Sequence, residues 1–149
     1  MDESEINQKL KNVRNYLGTF ALDELGEIKI LEYPSFFIIN MDHRKYGNGI
    51  HWIAIAIYES VLFICDSLGG LLPDDSFPSE LIEYLNALLN KRRLEMTKQL
   101  QQADSDTCGL YCVTFIFEMM KGNNFGDFLS LFTNNHYSND MVIKFLNKR

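Results

Sequence analysis

The sequence predicts an α+β domain with a central, mainly antiparallel sheet flanked by helices. Three observations carry that expectation. An Ile-rich run from Ile50 to Tyr58 is followed at hairpin distance by a second apolar run, Val61 to Asp66. The broad stripe Leu81, Ile82, Leu85, Leu88 and Leu89 marks an amphipathic helix over 78–90. From Cys108 to Met120 a nearly unbroken apolar stretch reads as a helix buried on most sides. Helix, strands, helix, strand, helices is an α+β order, since strands and helices do not alternate strictly.

Taken along the chain, the first helix is expected from Ser4 to Leu17, with Ser4 as N-cap and Ile6, Leu10, Val13 and Leu17 on one face. Gly18 is placed to end it. Phe36-Phe37-Ile38-Ile39 is a short buried strand, and Met41 to Gly49 form a loop with Gly47-Asn48-Gly49 as its turn signal. After the hairpin, Ser67-Leu68-Gly69-Gly70 breaks the pattern. Arg93 to Lys98 alternates as a further strand, and a polar loop opening with Gln101 and Gln102 leads into the Cys108 helix. Two more helices, Phe125 to Phe132 and Asn139 to Leu146, close the domain. With no repeat, low-complexity tract or linker, residues 1–149 read as a single domain.

Composition excludes several classes. Of 149 residues, 46% are hydrophobic, too many for a disordered chain. Fourteen basic against twenty acidic residues give a net charge of −6, which disfavours broad binding to phosphate backbones. Lys91-Arg92-Arg93 and Lys148-Arg149 read as small solvated basic patches. The first residues, MDESEINQKL, lack the basic-then-apolar order of a signal peptide. No apolar run approaches the roughly 18 residues that span a bilayer. Three cysteines, Cys65, Cys108 and Cys112, therefore suit a reducing compartment better than a disulfide framework.

In that setting a single Cys is a candidate nucleophile. Cys108 follows a polar loop and opens a helix, where free backbone N–H groups and the helix dipole stabilise a thiolate. Its plain alternative is a small buried residue. His51 begins an apolar strand beside Trp52, the only tryptophan, and is the residue type suited to moving protons near neutral pH. The alternative is a strand-end histidine with one satisfied hydrogen bond. Asp66 ends the hairpin partner strand, close enough to orient that imidazole, but an Asp opening a Gly-containing turn is also common. Gln101 or Gln102 offers an amide donor for an oxyanion, with the Cys108 N–H as a second. His43, His51 and His136 show no ligand spacing, so neither a metal nor another cofactor is expected.

As a set, His51-Trp52, Asp66-Ser67-Leu68-Gly69, Gln101 and Cys108-Gly109-Leu110-Tyr111-Cys112 resemble the adenain-like cysteine proteases of adenoviruses, related DNA viruses and virus-like mobile elements. The set is similar, more distantly, to the proteases that process SUMO. Leu17-Gly18-Thr19-Phe20 resembles the N-terminal region of the adenain type, so the resemblance runs over about residues 5–121. Gln101 stands seven residues before Cys108, the adenain-like spacing, and Gln102 six, the spacing of the SUMO-protease branch. Gln101 is preferred and Gln102 stays open. The acidic member is Asp66, where the adenovirus enzyme has Glu; either carboxylate accepts from an imidazole N–H.

The resemblance implies a papain-like, circularly permuted fold. It implies a thiol endopeptidase in which His51, Asp66, Gln101 and Cys108 are catalytic and Trp52 binds substrate over the cleft. The implied substrates are viral structural-protein precursors, cut at Gly-containing sites during capsid maturation in the virion or the host-cell interior. Alternatives on the same scaffold are removal of ubiquitin-like proteins, acyl transfer, and a pseudoprotease that binds without cutting. The adenovirus activating peptide, disulfide-linked upstream of the nucleophile, does not carry over: the only upstream cysteine is Cys65, expected to be buried. DNA stimulation is not expected at a charge of −6. The short chain reads as a minimal catalytic core.

Overall fold

The computed structural model describes residues 1–41, 51–69, 77–122 and 124–148. The expected Gly47-Asn48-Gly49 turn, His43, Gly70 and Arg149 lie outside them. Helix α1 (Glu3–Leu10) begins with a capping box: the Asp2 carboxylate accepts the Glu5 N–H at 2.9 Å and the Glu5 carboxylate accepts the Asp2 N–H at 3.3 Å. Asp2 is thus the N-cap, and Ser4 sits inside the first turn. The helix also stops seven residues before the expected Leu17. The turn that follows places Asn15 at φ 63°, and the chain then extends as strand β1 (Tyr16–Phe20). The misreading has a physical source. Ile6, Leu10 and Val13 do share one buried cluster, at helical spacing, but Leu17 packs on the opposite side of the sheet. Gly18 lies within β1, at φ 126° and at a register shift between Tyr16 and Thr19, a conformation that favours glycine. A short 3-10 helix over Leu22–Glu27, not anticipated from the sequence, connects β1 toward β2.

Strands β2 (Ser35–Asn40), β3 (Trp52–Ile57), β4 (Val61–Cys65) and β5 (Arg93–Met96) complete a five-stranded sheet in the order β1-β2-β3-β4-β5. The three central strands are antiparallel, as expected, while β1 joins β2 and β5 joins β4 in parallel, so the sheet is mixed. The two outer strands are reached through longer connections, as parallel pairing requires. Helix α2 (Ser79–Leu89) lies in the β4–β5 crossover, and α3 (Cys108–Met120), α4 (Phe125–Leu129) and α5 (His136–Leu146) follow. The last two differ from expectation only in their ends.

Burial on both faces explains why the central strands read as apolar runs rather than as alternating ones. The alternation separates two cores. Phe36, Ile38, Trp52, Ala54, Ala56, Phe63 and Cys65 face one cluster shared with α1, α3 and α4. Phe37, Ile39, Ile53, Ile55, Ile57, Leu62 and Ile64 face a second, shared with the 3-10 helix and α2. On the first face, Ala54 and Ala56 occupy the middle strand between larger neighbours, and α3 packs directly on β3. Small side chains there let the helix come close to the strand.

Candidate active site

Strands β3, β4 and β5 all present their site-facing ends at one edge of the molecule. Because β3 runs antiparallel to β4, His51, just before β3, and Asp66, just after β4, meet there although fifteen residues separate them. The His51 carbonyl accepts the Met41 N–H at 3.0 Å, which prolongs the β2–β3 ladder by one step and holds the backbone of the histidine. Helix α3, lying on β3, brings its first residue, Cys108, to the same edge.

The His51 Nε2 is 2.7 Å from the Asp66 Oδ1, with the carboxylate only 2% exposed. That contact assigns the Nε2 proton to the carboxylate side and leaves Nδ1 for a second partner. Burial alone would drive the imidazole toward its neutral form. The hydrogen bonds to Asp66 and Cys108, and the negative charge of both, outweigh burial and push the His51 pKa up to about 9. An imidazolium held by a carboxylate beside a cysteine is the arrangement a thiolate nucleophile needs.

Asp66 is held from three directions. Its Oδ1 accepts the Leu68 N–H at 3.0 Å, and its carbonyl accepts the Gly69 N–H at 2.8 Å, closing the turn. Thr97, at the end of β5, accepts the Asp66 N–H and donates its hydroxyl to the Asp66 carbonyl, both at 2.8 Å. Gly69, at φ 78°, lies so close to β5's continuation that a Cβ would stand 2.4 Å from the Gln99 nitrogen. Only glycine lets the turn seat there.

Ser67 ties this turn to the loop before Cys108. Its carbonyl accepts the Leu100 and Gln101 N–H groups at 2.8 and 3.1 Å, and its hydroxyl donates to the Gln101 Oε1. The Gln101 Nε2 donates to the Ser105 carbonyl at 3.0 Å and, more weakly, to the Gln102 carbonyl at 3.4 Å. Both carbonyls are acceptors only, so the orientation of the amide follows from its partners. The Gln102 amide points elsewhere, to Asp140 on α5, at 3.3 Å. The two glutamines left open by spacing are thereby distinguished in geometry: Gln101 is buried beside Ser67, and Gln102 is turned to the last helix.

Trp52 is 5% exposed and belongs to the same core cluster as Cys108. Cys65 and Cys112 are buried free thiols whose pKa burial pushes well above the ordinary value, helped by the charges of Asp66 and Cys108. They are neutral packing groups beside the site. A Cβ added at Gly109 would stand 3.4–3.5 Å from Met1 and Ile6, so its neighbours are the N-terminus and α1. Sequence reasoning missed Thr97, Ser67 and Asp140. Ser67 lies inside the quoted turn, whereas nothing local marks Thr97 or Asp140, which act from strands and helices distant in the chain. Among the described residues no helix is long and apolar enough to cross a membrane.

Residues 35–148 match the Ulp1 protease family, C-terminal catalytic domain. The protease of bovine adenovirus 7 is 29% identical over 167 residues, spanning 94% of this chain and 81% of the viral protein. The protease of ovine adenovirus D serotype 7 is 28% identical over 148 residues, spanning 85% of this chain and 70% of its own. In structure, an ASFV protease superposes with a TM-score of 0.57 at 13% identity, over 95% of this chain and 63% of that one. The central domain of an uncharacterized Legionella pneumophila protein gives 0.55 at 13% identity, over 97% and 92%. At such identity the two structures speak for the fold alone, but the family match covers most of the chain, which belongs to the Ulp1 protease family and is a cysteine protease.

Proposed function

We propose that this protein is a thiol endopeptidase that cleaves viral structural-protein precursors at Gly-containing sites during capsid maturation, inside the virion or the host cell. The observation that carries the chemistry is the His51 imidazole, 2.7 Å from Asp66, with Cys108 at the start of α3 near enough to raise its pKa. The viral substrate class rests on the adenovirus proteases, similar over most of the chain.

In this reading the Cys108 thiolate attacks the scissile carbonyl carbon, forming an S–C bond as the carbonyl electron pair moves onto oxygen. The Cys108 N–H, ahead of the helical hydrogen-bond ladder, and one Gln101 N–H receive that oxyanion. The N–H now bound at 3.4 Å to the Gln102 carbonyl is the weaker of the two and is the one exchanged for substrate. As the tetrahedral centre collapses, the C–N bond breaks and His51 gives its Nδ1 proton to the departing amine. Water then attacks the thioester and passes a proton to His51; the C–S bond breaks, releasing the acid and regenerating the thiolate. Asp66 keeps the imidazole in register throughout. Trp52, one residue beyond His51, narrows the cleft beside the nucleophile, so residues without a Cβ fit best next to the cleaved bond.

The test is turnover of peptides with Gly-Gly or Gly-X-Gly sites, alongside ubiquitin-like proteins carrying a C-terminal tag. Endopeptidase turnover that Cys108→Ala abolishes, with no processing of the tagged proteins, supports precursor cleavage. Processing of the tagged proteins alone transfers the site to the isopeptidase reading. Wild type no faster than Cys108→Ala on every substrate ends both.

A further inference from the structure

Among the described residues two carboxylates are buried to below a tenth of their surface: Asp66, already placed beside His51, and Asp140 on α5, 3% exposed. Asp140 makes no contact with the imidazole or the thiol. Its partners lie in the loop between Gln101 and Cys108 and in the first turn of α3. The Oδ2 accepts the Gln102 backbone N–H at 3.2 Å and the Gln102 side-chain N–H at 3.3 Å. The Oδ1 accepts the Tyr111 hydroxyl at 2.8 Å and the Thr107 hydroxyl at 3.1 Å. Burial raises the Asp140 pKa, but the Tyr111 hydroxyl, the two Gln102 donors and the Thr107 hydroxyl together bring it below the ordinary carboxylate value. Four donors on one ionised group, fixed by α5, make a rigid clamp.

The position of the clamped residues gives it meaning. Gln102 follows Gln101, and Thr107 precedes Cys108. Ser105 completes the loop, its hydroxyl bonded to that of Thr107 while its carbonyl takes the stronger Gln101 bond. Beside Asp140, Asn139 donates to the Leu100 carbonyl at 3.0 Å, fixing the approach to Gln101. The two donors assigned to the oxyanion therefore sit on either side of a segment that α5 holds at both ends.

We infer that Asp140 is a positioning residue for the reaction: by holding Gln102 and Thr107 it sets the separation and aim of the Gln101 amide and the Cys108 N–H, and so shapes the oxyanion pocket. This rests on the hydrolase reading above. Cys108 is also held by the packing of α3 in the core, so the thiolate–imidazolium pair depends less on the clamp than the loop does.

That division supplies the experiment, since alkylation by iodoacetamide needs the thiolate but no oxyanion pocket. Full-length Asp140→Ala and Asp140→Asn are compared with wild type in peptide turnover, in the rate of Cys108 alkylation, and in amide hydrogen exchange. In Asp140→Ala, kcat is expected to fall about 10- to 100-fold, less than the roughly 100- to 1,000-fold effect of deleting an oxyanion donor outright. KM and the alkylation rate stay within about threefold, since neither the cleft walls nor the thiolate pair is touched. Exchange protection is lost within residues 101–107 and kept in the sheet. Asp140→Asn restores kcat to within about fivefold of wild type, because its Oδ1 accepts the Gln102 N–H and its amide donates to hydroxyls that turn to accept. The inference is overturned if kcat in Asp140→Ala is unchanged, if alkylation falls in step with kcat, or if Asn restores nothing. Should Asp140→Ala lose protection throughout the sheet, Asp140→Asn and its local exchange pattern decide. Should wild type cleave no substrate, the hydrolase reading fails separately, and protection over 101–107 still decides whether Asp140 holds the loop.

Discussion

The two faces of the sheet are made by the same strands and do different work. The face toward α2 is uniformly large and mostly aliphatic, with Phe37, Ile53, Ile55, Ile57, Leu62 and Ile64 in one cluster with Leu81 and Leu85. The face toward α3 is uneven. Ala54 and Ala56 lie between Phe36 and Ile38 on one side and Phe63 and Cys65 on the other, leaving a trough along the middle strand. The helix that fills this trough is the one whose first residue is Cys108. The aliphatic face therefore contributes stability, whereas the α3 face contributes stability and the placing of Cys108 at the His51 edge. The difference teaches that small residues in a core are positional: they determine how near a functional helix comes.

The sharpest way to break the contrast is to remove chemistry from the α3 side while leaving both cores full. Cys108→Ala and His51→Ala are each expected to lower kcat by about five to six orders of magnitude, with no additive loss in the double variant, because members of one catalytic unit fail together. Thermal unfolding midpoints stay close to wild type. A comparable loss from a conservative change on the aliphatic face, in a protein that remains folded, would contradict the division.

Next in size is Asp66→Asn, expected to lower kcat by up to about 10⁴-fold. Its diagnostic is the pH profile. His51 titrates near 9, above its ordinary 6.5, so the paired imidazolium persists through neutrality and activity declines as pH rises through about 9. Removing the Asp66 charge withdraws part of what raises that pKa, and the alkaline limb moves to lower pH. The same sign governs stability. The pair's contribution is complete below about pH 6.5 and lost as pH rises through about 9. An alkaline limb that does not move in Asp66→Asn would show that the carboxylate does not tune the histidine.

What was legible in the sequence follows the same boundary. The hairpin, the α2 stripe and the buried α3 were readable because their periodicity is local, and His51, Asp66 and Cys108 were readable because each stands at the end of such an element. The misplaced end of α1 shows the limit: Val13 continues a helical spacing after the helix has stopped, since a turn can deliver a side chain to the same core. Parallel pairing of β1 and β5 leaves no local mark either, because its register is decided by the strands that meet it. Thr97, Ser67 and Asp140 were hidden for a related reason. Their role lies in hydrogen bonds to residues 29 to 38 positions away, and no spacing rule connects them.

Overfilling the trough is the third prediction. Ala56→Leu places a larger side chain between Phe36 and Phe63, beneath α3. Overpacking of this kind costs about 1–3 kcal/mol, read as a lower denaturant midpoint. Activity is expected to fall more than that loss of folded population explains, since a displacement of about 1 Å at a reacting atom reduces rate roughly 100-fold. Unchanged kcat in the folded fraction would mean that α3 yields sideways without moving Cys108.

The matched change on the other face gives the smallest effect and the cleanest control. Ile55, fully buried between Phe37 and Ile64, sits one residue from Ala56 but points to α2. Ile55→Val removes one methyl group, leaves the β-branched shape that suits a strand, and is expected to cost about 0.5–1.5 kcal/mol. Helix α3, which carries Cys108, packs on the other face, so kcat and KM in the folded protein are expected to stay at wild-type values. Adjacent residues on one strand would then separate stability from catalysis by the direction of a side chain alone. A fall in kcat for Ile55→Val, measured well below its unfolding midpoint, would instead make the sheet a single mechanical body in which either face can move the nucleophile.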